Sequence, residues 1–352
     1  MKRPSATVRD VASRAGVSTA TVSRALAGDL SISRVSEDTR RKVLDAVAFL
    51  DYKTNHVARS LKTRSTRTIA ILAPELANDF FMELAEAMEK ELGASGYMLL
   101  VSSSSNNVEE EARRLRYLSE RLVDGIVVIP VAGRGEHLQA IADRGTPVVL
   151  VDRLVEGASL DAVLADNEGG AYGATRALIA DGHTRFAFVG GDLGLTSASE
   201  RLDGWIRALE EDSLFSGDRL LGGMAIEDGY RHMDELLRRD DPPAALFAVN
   251  LLVHLGLERR LMEEGRGSSG RALAADSLFD PAVFSRFAVA SFDETPYSPF
   301  MPACRYAVAQ PAAEMGAAAA RLILERIGRT GTQTEPPKVI RLPTTLIRHQ
   351  RG

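Results

Sequence analysis

The sequence predicts an α/β protein with a small all-helical unit at its N-terminus, followed by two doubly wound subdomains built on parallel sheets. Two observations predict this fold class. Short segments with helical periodicity occupy the first 51 residues, whereas from Thr68 onward apolar runs of strand length alternate with longer amphipathic helices. Continuous apolar strands with helical crossovers are typical of a parallel sheet that is covered on both faces.

The N-terminal unit is expected to contain three short helices. The first runs from Thr7 to Arg14, with Thr7 and Asp10 as its capping box and Gly16 as its stop. A second helix follows the capping residue Ser18. Its apolar face comprises Ala20, Val22, Ala25 and Leu26. The apolar stripe of the third helix comprises Val43, Leu44, Val47 and Leu50. Three helices with a tight glycine turn between the first two predict a helix-turn-helix unit.

Six apolar runs in the rest of the chain are the predicted strands. They are TIAIL (68–72), YMLLV (97–101), GIVVI (125–129), PVVLV (147–151), FAFVG (186–190) and ALFAV (245–249). More than five such units predict two subdomains, whose ligands would bind at the carboxyl ends of the strands, in the crevice between the halves. Residues 52–66 carry four basic side chains and one apolar face, as expected of a linker that orders on contact with a partner.

Charge is distributed unevenly along the chain. Residues 1–66 hold 13 Lys and Arg and 6 Asp and Glu, a net charge of +7. The remaining residues hold 30 and 42, a net charge of −12. A basic module on an acidic body indicates contact with a polyanion at one end of the chain. Charge alone leaves open the alternative of a solvated basic surface.

Composition argues against several classes of protein. No run approaches the roughly 18 apolar residues of a membrane span, and no apolar stretch follows the basic residues of the N-terminus, so we expect neither a membrane partner nor secretion. The single cysteine, Cys304, cannot form an intramolecular disulfide, which fits a cytoplasmic protein. The histidines lack metal-ligand spacing and no catalytic signature occurs, so we expect no enzyme, no metal and no cofactor.

One glycine motif has the spacing of a dinucleotide fingerprint without its context. GRGSSG (265–270) matches G-x-G-x-x-G, but the residues before it, LERRLMEE, are predicted to form a helix that Gly265 caps. The fingerprint needs a strand before it, so that the phosphates meet a helix N-terminus. We therefore interpret the motif as a loop.

The stretch TVRDVASRAGVSTATVSRALAG (7–28) resembles the lactose-repressor and galactose-repressor family of bacterial transcription regulators. The resemblance continues through NHVARSLKTRSTRTIAIL (55–72), which is similar to the family's hinge helix and first strand, and covers almost the whole chain. Further matching stretches are DGIVVIP (124–130), GTPVVLVDR (145–153), DGHTRFAFVGG (181–191), SERLDGW (199–205), SFDETP (291–296) and AVAQPAAEMGAAAA (307–320).

The resemblance implies a division of the chain into four parts. Residues 1–51 would be the DNA-binding domain and residues 52–66 the hinge. The two effector subdomains, of the periplasmic-binding-protein type, would comprise residues 67–165 with 298–330 and residues 166–297 with 331–352.

By this resemblance the second helix enters the major groove of DNA. The implied DNA-binding residues of this unit are Thr7, Ser18, Thr19, Ala20, Thr21, Ser23 and Arg24. Thr19, Ala20 and Arg24 would face the bases, and Arg24 is the strongest candidate because guanidinium is the commonest reader of guanine. Ser18, Thr21 and Ser23 would lie mainly near the phosphates. Each of these could instead be an exposed helical residue without a role.

The resemblance also implies a hinge helix over residues 55–62 that forms when two subunits bind DNA. Asn55, Ala58 and Arg59 match the family pattern, although Thr54 stands where most members have proline. Paired Leu61 side chains would wedge into the central minor-groove step and kink it. The alternative is that Leu61 is a core residue of the adjoining domain.

A small-molecule site between the two subdomains is implied as well. Its residues are Phe80, Phe81, Asp152, Arg153, Arg201, Met224, Asn250 and Asp293. Acid, amide and guanidinium groups beside aromatic rings suit a polyhydroxylated ligand, since each buried hydroxyl needs a partner. Alternatively, Asp152 and Arg153 could merely pair with each other, and Phe80 and Phe81 could be core residues.

Three features depart from the family pattern. Asn250-Leu251 stands where the family usually reads Asn-Asp, and Met224 stands where an aromatic is frequent. The segment 266–287 is roughly fifteen residues longer than the usual connection. A simple hexose or pentose therefore fits the site less well than a modified sugar or another small metabolite.

Together these features predict a dimeric or tetrameric DNA-binding repressor. It would read a pseudo-palindromic operator, and a small effector would control its affinity for that operator. Two other classes stay open. A sugar-type solute-binding protein is disfavoured by the basic N-terminal module and the lack of a signal-like segment. An α/β enzyme acting on a phosphorylated sugar is disfavoured because no nucleophile with a base and no metal cluster was found.

We predict that Leu61→Ala reduces both the bending of the operator and the specific affinity, because alanine is too short to wedge between base pairs. Bending is measured by gel mobility or by scattering. Unchanged bending in the variant would refute the wedge.

Overall fold

The computed structural model describes residues 6–26, 35–52, 65–121, 123–214, 217–267, 280–328 and 336–349. The chain divides into two units, Met1–Thr66 and Arg67–Gly352. The predicted hinge residues Asn55, Ala58, Arg59 and Leu61 lie outside the described residues, as does most of the segment 266–287.

Three helices form the described part of the N-terminal unit. They are α1 (Val8–Ala15), α2 (Thr19–Leu26) and α3 (Glu37–Phe49). The predicted capping box is present, because the Asp10 carboxylate accepts a hydrogen bond from the backbone N–H of Thr7 at 2.8 Å and the Thr7 hydroxyl accepts one from that of Asp10. Gly16 follows α1 with a φ of 64°, a left-handed conformation that favours glycine. The local signals at both ends of α1 therefore worked as predicted.

A small apolar core holds these helices together. It consists of Val11, Ala12, Val22, Ala25, Val43 and Ala46. The prediction that Leu44 belongs to the apolar stripe of α3 is wrong, since this side chain is 47% exposed. Positions 43, 46, 47 and 50 share one face of a helix, whereas position 44 is turned away from it. The small Ala46, which was not predicted to be part of the stripe, takes the inward position.

The second unit contains two six-stranded sheets. The first sheet comprises β1 (Thr68–Ala73), β2 (Met98–Ser103), β3 (Gly125–Val128), β4 (Val148–Val151), β5 (Asp161–Ala165) and β11 (Val339–Leu342). The second comprises β6 (Phe186–Val189), β7 (Asp218–Leu220), β8 (Ala245–Ala248), β9 (Ala288–Phe292), β10 (Cys304–Ala309) and β12 (Thr345–Arg348).

Strand order identifies both sheets as doubly wound. The orders are β11-β5-β4-β3-β1-β2 and β12-β10-β9-β8-β6-β7. All pairs are parallel except the antiparallel pair of β10 and β12. The six predicted apolar runs are confirmed as β1, β2, β3, β4, β6 and β8. The remaining strands were not predicted as strands.

Helices cover the faces of these sheets. Those of the second unit are α4 (Asp79–Ala94), α5 (Val108–Glu120), α6 (Glu136–Asp143), α7 (Asn167–Ala180), α8 (Thr196–Glu211), α9 (Ile226–Leu237), α10 (Leu251–Gly267), α11 (Pro281–Ser285) and α12 (Ala312–Gly328). Helices α4 and α12 pack on one face of the first sheet, and α5 and α6 on the other. Within the described ranges, no helix is long and apolar enough to cross a membrane.

The GRGSSG motif follows a helix, as predicted. Helix α10 precedes it, but it continues to Gly267, two residues past the expected cap at Gly265. Because no strand leads into the motif, the dinucleotide interpretation lacks the context that it requires.

The predicted boundary between the two subdomains is wrong for two strands. We expected residues 298–330 in the first subdomain and 331–352 in the second, but β10 lies in the second sheet and β11 in the first. Helix α12 does pack on the first sheet. The chain therefore crosses between the subdomains after β5, between β10 and α12, and again between β11 and β12.

A buried ion pair explains why β11 returns to the first sheet. The carboxylate of Asp161, on β5, accepts two hydrogen bonds from Arg326 of α12, from Nε at 2.5 Å and from Nη2 at 2.6 Å. It accepts a third at 2.8 Å from the backbone N–H of Lys338, just before β11. Both charged side chains are at most 4% exposed. One carboxylate thus joins a strand, a helix and the last segment of this subdomain.

We predict that Asp161→Ala lowers the free energy of unfolding of the second unit by about 3–5 kcal/mol, because it removes a buried carboxylate that bonds to the buried Arg326 guanidinium. Urea unfolding followed by circular dichroism measures the change. Glu325→Ala is the matched control, because Glu325 directly precedes Arg326 in the chain. Its ion pair with Lys338 is half-exposed, and pairs of this kind are worth about 1 kcal/mol or less. Equal losses for the two variants would contradict this account.

Candidate functional site

Helix α2 presents a polar surface to solvent. Val22 and Ala25 are buried in the core, whereas the residues predicted to contact DNA point outward to different degrees. Ser18, Thr19, Ala20, Ser23 and Arg24 are exposed, and Thr21 is half-buried. The turn-and-helix geometry therefore leaves short polar side chains and one arginine free to meet a partner.

Hydrogen bonds order the start of this surface. The Ser18 hydroxyl accepts from the backbone N–H of Thr21 at 3.1 Å and lies 2.9 Å from the Thr21 hydroxyl. Nε of Arg24 donates to the carbonyl of Ala20 at 3.3 Å, which lays the arginine back along the helix. Thr7 is exposed, but its hydroxyl already serves the capping box of α1.

A cavity of about 530 Å³ lies between the two subdomains of the second unit. Each segment that lines it follows the carboxyl end of a parallel strand. On the first subdomain these residues include Pro74, Asn106, Val131 and Arg153, after β1, β2, β3 and β4. On the second they include Gly191, Leu221 and Asn250, after β6, β7 and β8. The cavity thus occupies the crevice where folds of this type bind ligands.

The structure brings part of the predicted effector set to the cavity itself. Four of its residues line the cavity: Phe81, Arg153, Met224 and Asn250. Phe80 packs against the first hydrophobic core with its ring 5.5 Å from that of Phe81. Phe81 is also buried in that core. It is therefore both a core residue, as the alternative proposed, and a residue that lines the cavity.

Asp152 and Arg153 bond to each other. Nε of Arg153 donates to the Asp152 carboxylate at 2.9 Å, and both side chains are less than 10% exposed. The pair lies on one loop of the first subdomain, and Arg153 also lines the cavity. The arginine therefore reaches the cavity with its charge already balanced.

Arg201 and Asp293 belong to the second subdomain and are not among the described residues that line the cavity. Arg201 is 3% exposed, donates to Asn167 Oδ1 at 2.9 Å and to the carbonyl of Val249 at 2.8 Å, and stacks 3.8 Å above the centre of the Phe292 ring. Asp293 accepts from Gln310 Nε2 at 2.6 Å.

The pKa values of Arg201 and Asp293 are shifted by burial. Burial raises the pKa of Asp293, against the opposing effects of Arg201 and of the Gln310 hydrogen bond. Burial likewise lowers the pKa of Arg201, although the nearby carboxylates of Asp293 and Asp152 act to raise it. Each ion of the pair thus offsets part of the desolvation of the other.

Asn250 connects the cavity to helix α10. Its Nδ2 donates to the carbonyl of Met224 at 3.0 Å, and its Oδ1 accepts from the backbone N–H of Val253 at 2.9 Å. The amide therefore ties together the loops that follow β7 and β8.

Two aspartates at the cleft have left-handed backbones. Asp152 follows β4 with a φ of 74°, and Asp293 follows β9 with a φ of 72°. Aspartate tolerates this region better than most residues but still at some cost in energy, and such strain concentrates at functional sites. A left-handed aspartate thus follows one strand of each sheet, and this strain indicates that the cleft is the candidate functional site of the unit.

Three neighbours of the site were missed from the sequence. Asn167 and Gln310 bond to the buried Arg201 and Asp293, and the Phe292 ring lies under the guanidinium. Gln310 and Phe292 lie within AVAQPAAEM and SFDETP, so the resemblance could have identified them. Asn167 had no such signal.

Two family models match the chain over most of its length. Residues 7–55 match the model for bacterial regulatory proteins of the lacI family. Residues 66–350 match the model for periplasmic binding proteins and the sugar binding domain of the LacI family.

Individual regulators and solved structures are also similar to this chain over nearly its whole length. The HTH-type transcriptional repressor PurR of Aliivibrio salmonicida (strain LFI1238) is 31% identical over 326 residues, 92% of either chain. The solved complex of the transcriptional regulator CelR with cellobiose is 28% identical, with a TM-score of 0.67 over 99% of this chain and 100% of that one. The lac repressor dimer bound to operator and the anti-inducer ONPF has a TM-score of 0.79 at 23% identity over 98% of each chain, a likeness of fold.

We predict that Asp293→Asn changes the melting temperature more favourably at pH 7 than at pH 4.5. Because the pKa of Asp293 is raised above 3.8, the folded state favours the neutral carboxyl and loses stability as pH rises through the folded pKa. Asparagine stays neutral and also tolerates the left-handed backbone. The difference in melting temperature between the variant and the parent should therefore be more positive at pH 7 than at pH 4.5, and the exposed Asp240→Asn is the control. A loss of stability of equal size at both pH values would contradict the assignment.

Proposed function

The chain belongs to the LacI family of bacterial regulatory proteins, and from this premise we propose how its two units divide the work of a repressor. It is a DNA-binding transcriptional regulator whose affinity for DNA is controlled by a small ligand. We propose that the N-terminal unit reads the operator through α2 and that the cleft of the second unit binds the effector. The observation that carries the DNA-binding role is the exposed polar surface of α2 within the matched residues 7–55.

Operator recognition would use the exposed side chains of α2. Arg24 can donate two hydrogen bonds to guanine, whereas Thr19 and Ala20 are short and offer a hydroxyl and a methyl contact. Thr7, Ser18, Thr21 and Ser23 would hold phosphates and so fix the orientation of the helix in the groove. Asn55, Ala58, Arg59 and Leu61 would add the hinge contacts in the minor groove.

A second copy of the chain would complete the DNA-binding surface. Five exposed apolar side chains of the second unit support this: Met98, Leu100 and Val101 on the edge strand β2, and Tyr297 and Phe300 beside β10, the last 81% exposed. Exposed apolar surfaces and edge strands of this kind mark interfaces. Two copies related by a two-fold axis would read the two halves of a pseudo-palindrome.

The cleft favours an uncharged polyhydroxylated effector, a carbohydrate or sugar derivative. Its two arginines each have a carboxylate neighbour, Asp152 for Arg153 and Asp293 for Arg201. Two further acids, Glu75 and Asp192, line the cavity. A phosphorylated ligand would therefore meet no surplus of positive charge, whereas hydroxyls could bond to these fixed acids, amides and guanidinium groups.

Effector binding would change operator affinity by favouring one arrangement of the two subdomains. Only a ligand with different affinities for the two arrangements can do so. The protein would act in the bacterial cytoplasm, bound to the chromosome.

A solute-binding protein without a regulatory role is the second candidate. The observation that favours it is that the model matched by residues 66–350 also describes periplasmic binding proteins. Operator selection from random duplexes distinguishes the two, because a solute-binding protein selects no sequence.

We predict that Arg24→Ala weakens binding to the selected operator by about 1–3 kcal/mol and relaxes the preference at one base position. The control is Arg41→Ala, since Arg41 is also exposed but lies on α3, paired with Asp38. Fluorescence anisotropy measures both affinities. An equal loss on operator and on random DNA would assign Arg24 to a phosphate, and no loss would remove it from the interface.

A further inference from the structure

The hydroxyl of Thr196 joins the two subdomains across the cleft. Thr196 is the first residue of α8, in the second subdomain, and Leu154 lies on the loop that follows β4, in the first. Oγ1 of Thr196 accepts a hydrogen bond from the backbone N–H of Leu154 at 2.8 Å and donates one to the Leu154 carbonyl at 3.4 Å. A single hydroxyl thus uses both its donor and its acceptor capacity on one residue of the opposite subdomain.

The Thr196 hydroxyl does not cap its own helix. Hydroxyls at such positions commonly bond to the backbone of their own helix. Here the N-cap residue is Leu195, which makes no side-chain capping bond. The Thr196 hydroxyl, one position inside the helix, contributes instead to the contact between subdomains.

A second close contact lies beside the first. A Cβ atom added to Gly133 would lie 2.3 Å from the carbonyl oxygen of Gly194, so the absence of a side chain allows the two loops to meet. The loop of Gly133 is also tied to that of Leu154, since Glu156 N–H donates to the Gly133 carbonyl at 2.6 Å and Gly135 N–H to the Glu156 carbonyl at 2.8 Å. Both loops of the first subdomain therefore meet the segment 194–196 together.

The contact adjoins the cavity. Arg153 precedes Leu154, Leu195 precedes Thr196, and both Arg153 and Leu195 line the cavity. A ligand that shifts either residue by a fraction of an ångström also shifts a partner of the hydrogen-bonded pair, since hydrogen bonds weaken steeply with distance and angle.

We infer that Thr196 is a positioning residue that holds the cleft closed and so sets the basal operator affinity. This inference rests on the proposed function, because it concerns the regulation of the same cleft. The bonds of Thr196 and the approach of Gly133 to Gly194 form in the closed arrangement and break in an open one. The effector acts by strengthening or opposing this contact, which biases the equilibrium between the two arrangements.

The test compares Thr196→Val, which removes the hydroxyl but keeps the branched shape, with Thr196→Ser, which keeps the hydroxyl. Spin labels at Val108→Cys and Glu227→Cys, exposed at the starts of α5 and α9, report the distance across the cleft. Cys304 does not interfere, since it is buried and its pKa is raised to about 12. We expect a longer and broader distance distribution for Thr196→Val and an unchanged one for Thr196→Ser.

Gly133→Ala provides an independent variant, because its methyl group forces the same loops apart without touching Thr196. It should lengthen the distance as well, and it replaces Thr196→Val where circular dichroism shows that the latter does not fold. Distances unchanged from the parent in the folded variants would overturn the inference.

Operator affinity separates this inference from the proposed function. We expect Thr196→Val to change affinity for the selected operator by about tenfold, the effect of losing one or two hydrogen bonds that favour one arrangement, and Thr196→Ser by less than twofold. A parent protein that selects no operator contradicts the proposed function, whatever the distances show. Operator binding identical in all variants, with altered distances, contradicts the claim that Thr196 sets basal affinity.

Discussion

The carboxyl ends of two parallel sheets face a single cleft, and this constraint determines where the polar residues that line the cavity of the second unit lie. Strands that are buried on both faces must be apolar, so polar groups are confined to the loops that follow them. In this protein each lining segment of the cavity follows such a strand. Asp152 and Asp293 mark equivalent positions, since each leaves its strand with a left-handed backbone.

Charge compensation follows from the same geometry. A wall built at the edge of two buried sheets is itself largely removed from water, so an isolated charge there would be costly. Arg153 is balanced by its neighbour Asp152, and Arg201 by Asp293 together with two neutral oxygen acceptors. What remains for a ligand is a set of oriented dipoles and shared charges, which suits hydroxyl groups better than a phosphate.

Local signals in the sequence predicted much of this structure. The capping box of Thr7, the glycine stop at Gly16 and six continuous apolar strands need no knowledge of distant residues, and all are present. Strand β7 has only three residues, and β11 alternates between exposed and half-buried positions, so neither produces an apolar run. The return of β11 to the first sheet depends on Asp161 and Arg326, which are 165 positions apart.

The same distinction holds for the cleft. Phe81, Arg153, Met224 and Asn250 were named from the sequence because the resemblance marks their positions, and they line the cavity. Asn167 and Thr196 were not, because their importance comes from partners in distant parts of the chain. A threonine at a helix start carries no sign, in sequence, that its hydroxyl bonds to another subdomain.

We propose that the cleft and the DNA-binding unit are coupled, and coupling between two binding sites is reciprocal. The most direct test measures the distance across the cleft of the otherwise unaltered protein with and without its selected operator duplex. We expect operator to shift the distribution towards one arrangement and a random duplex of equal length, at equal occupancy, to shift it less. An identical distribution with and without operator would contradict the proposed coupling.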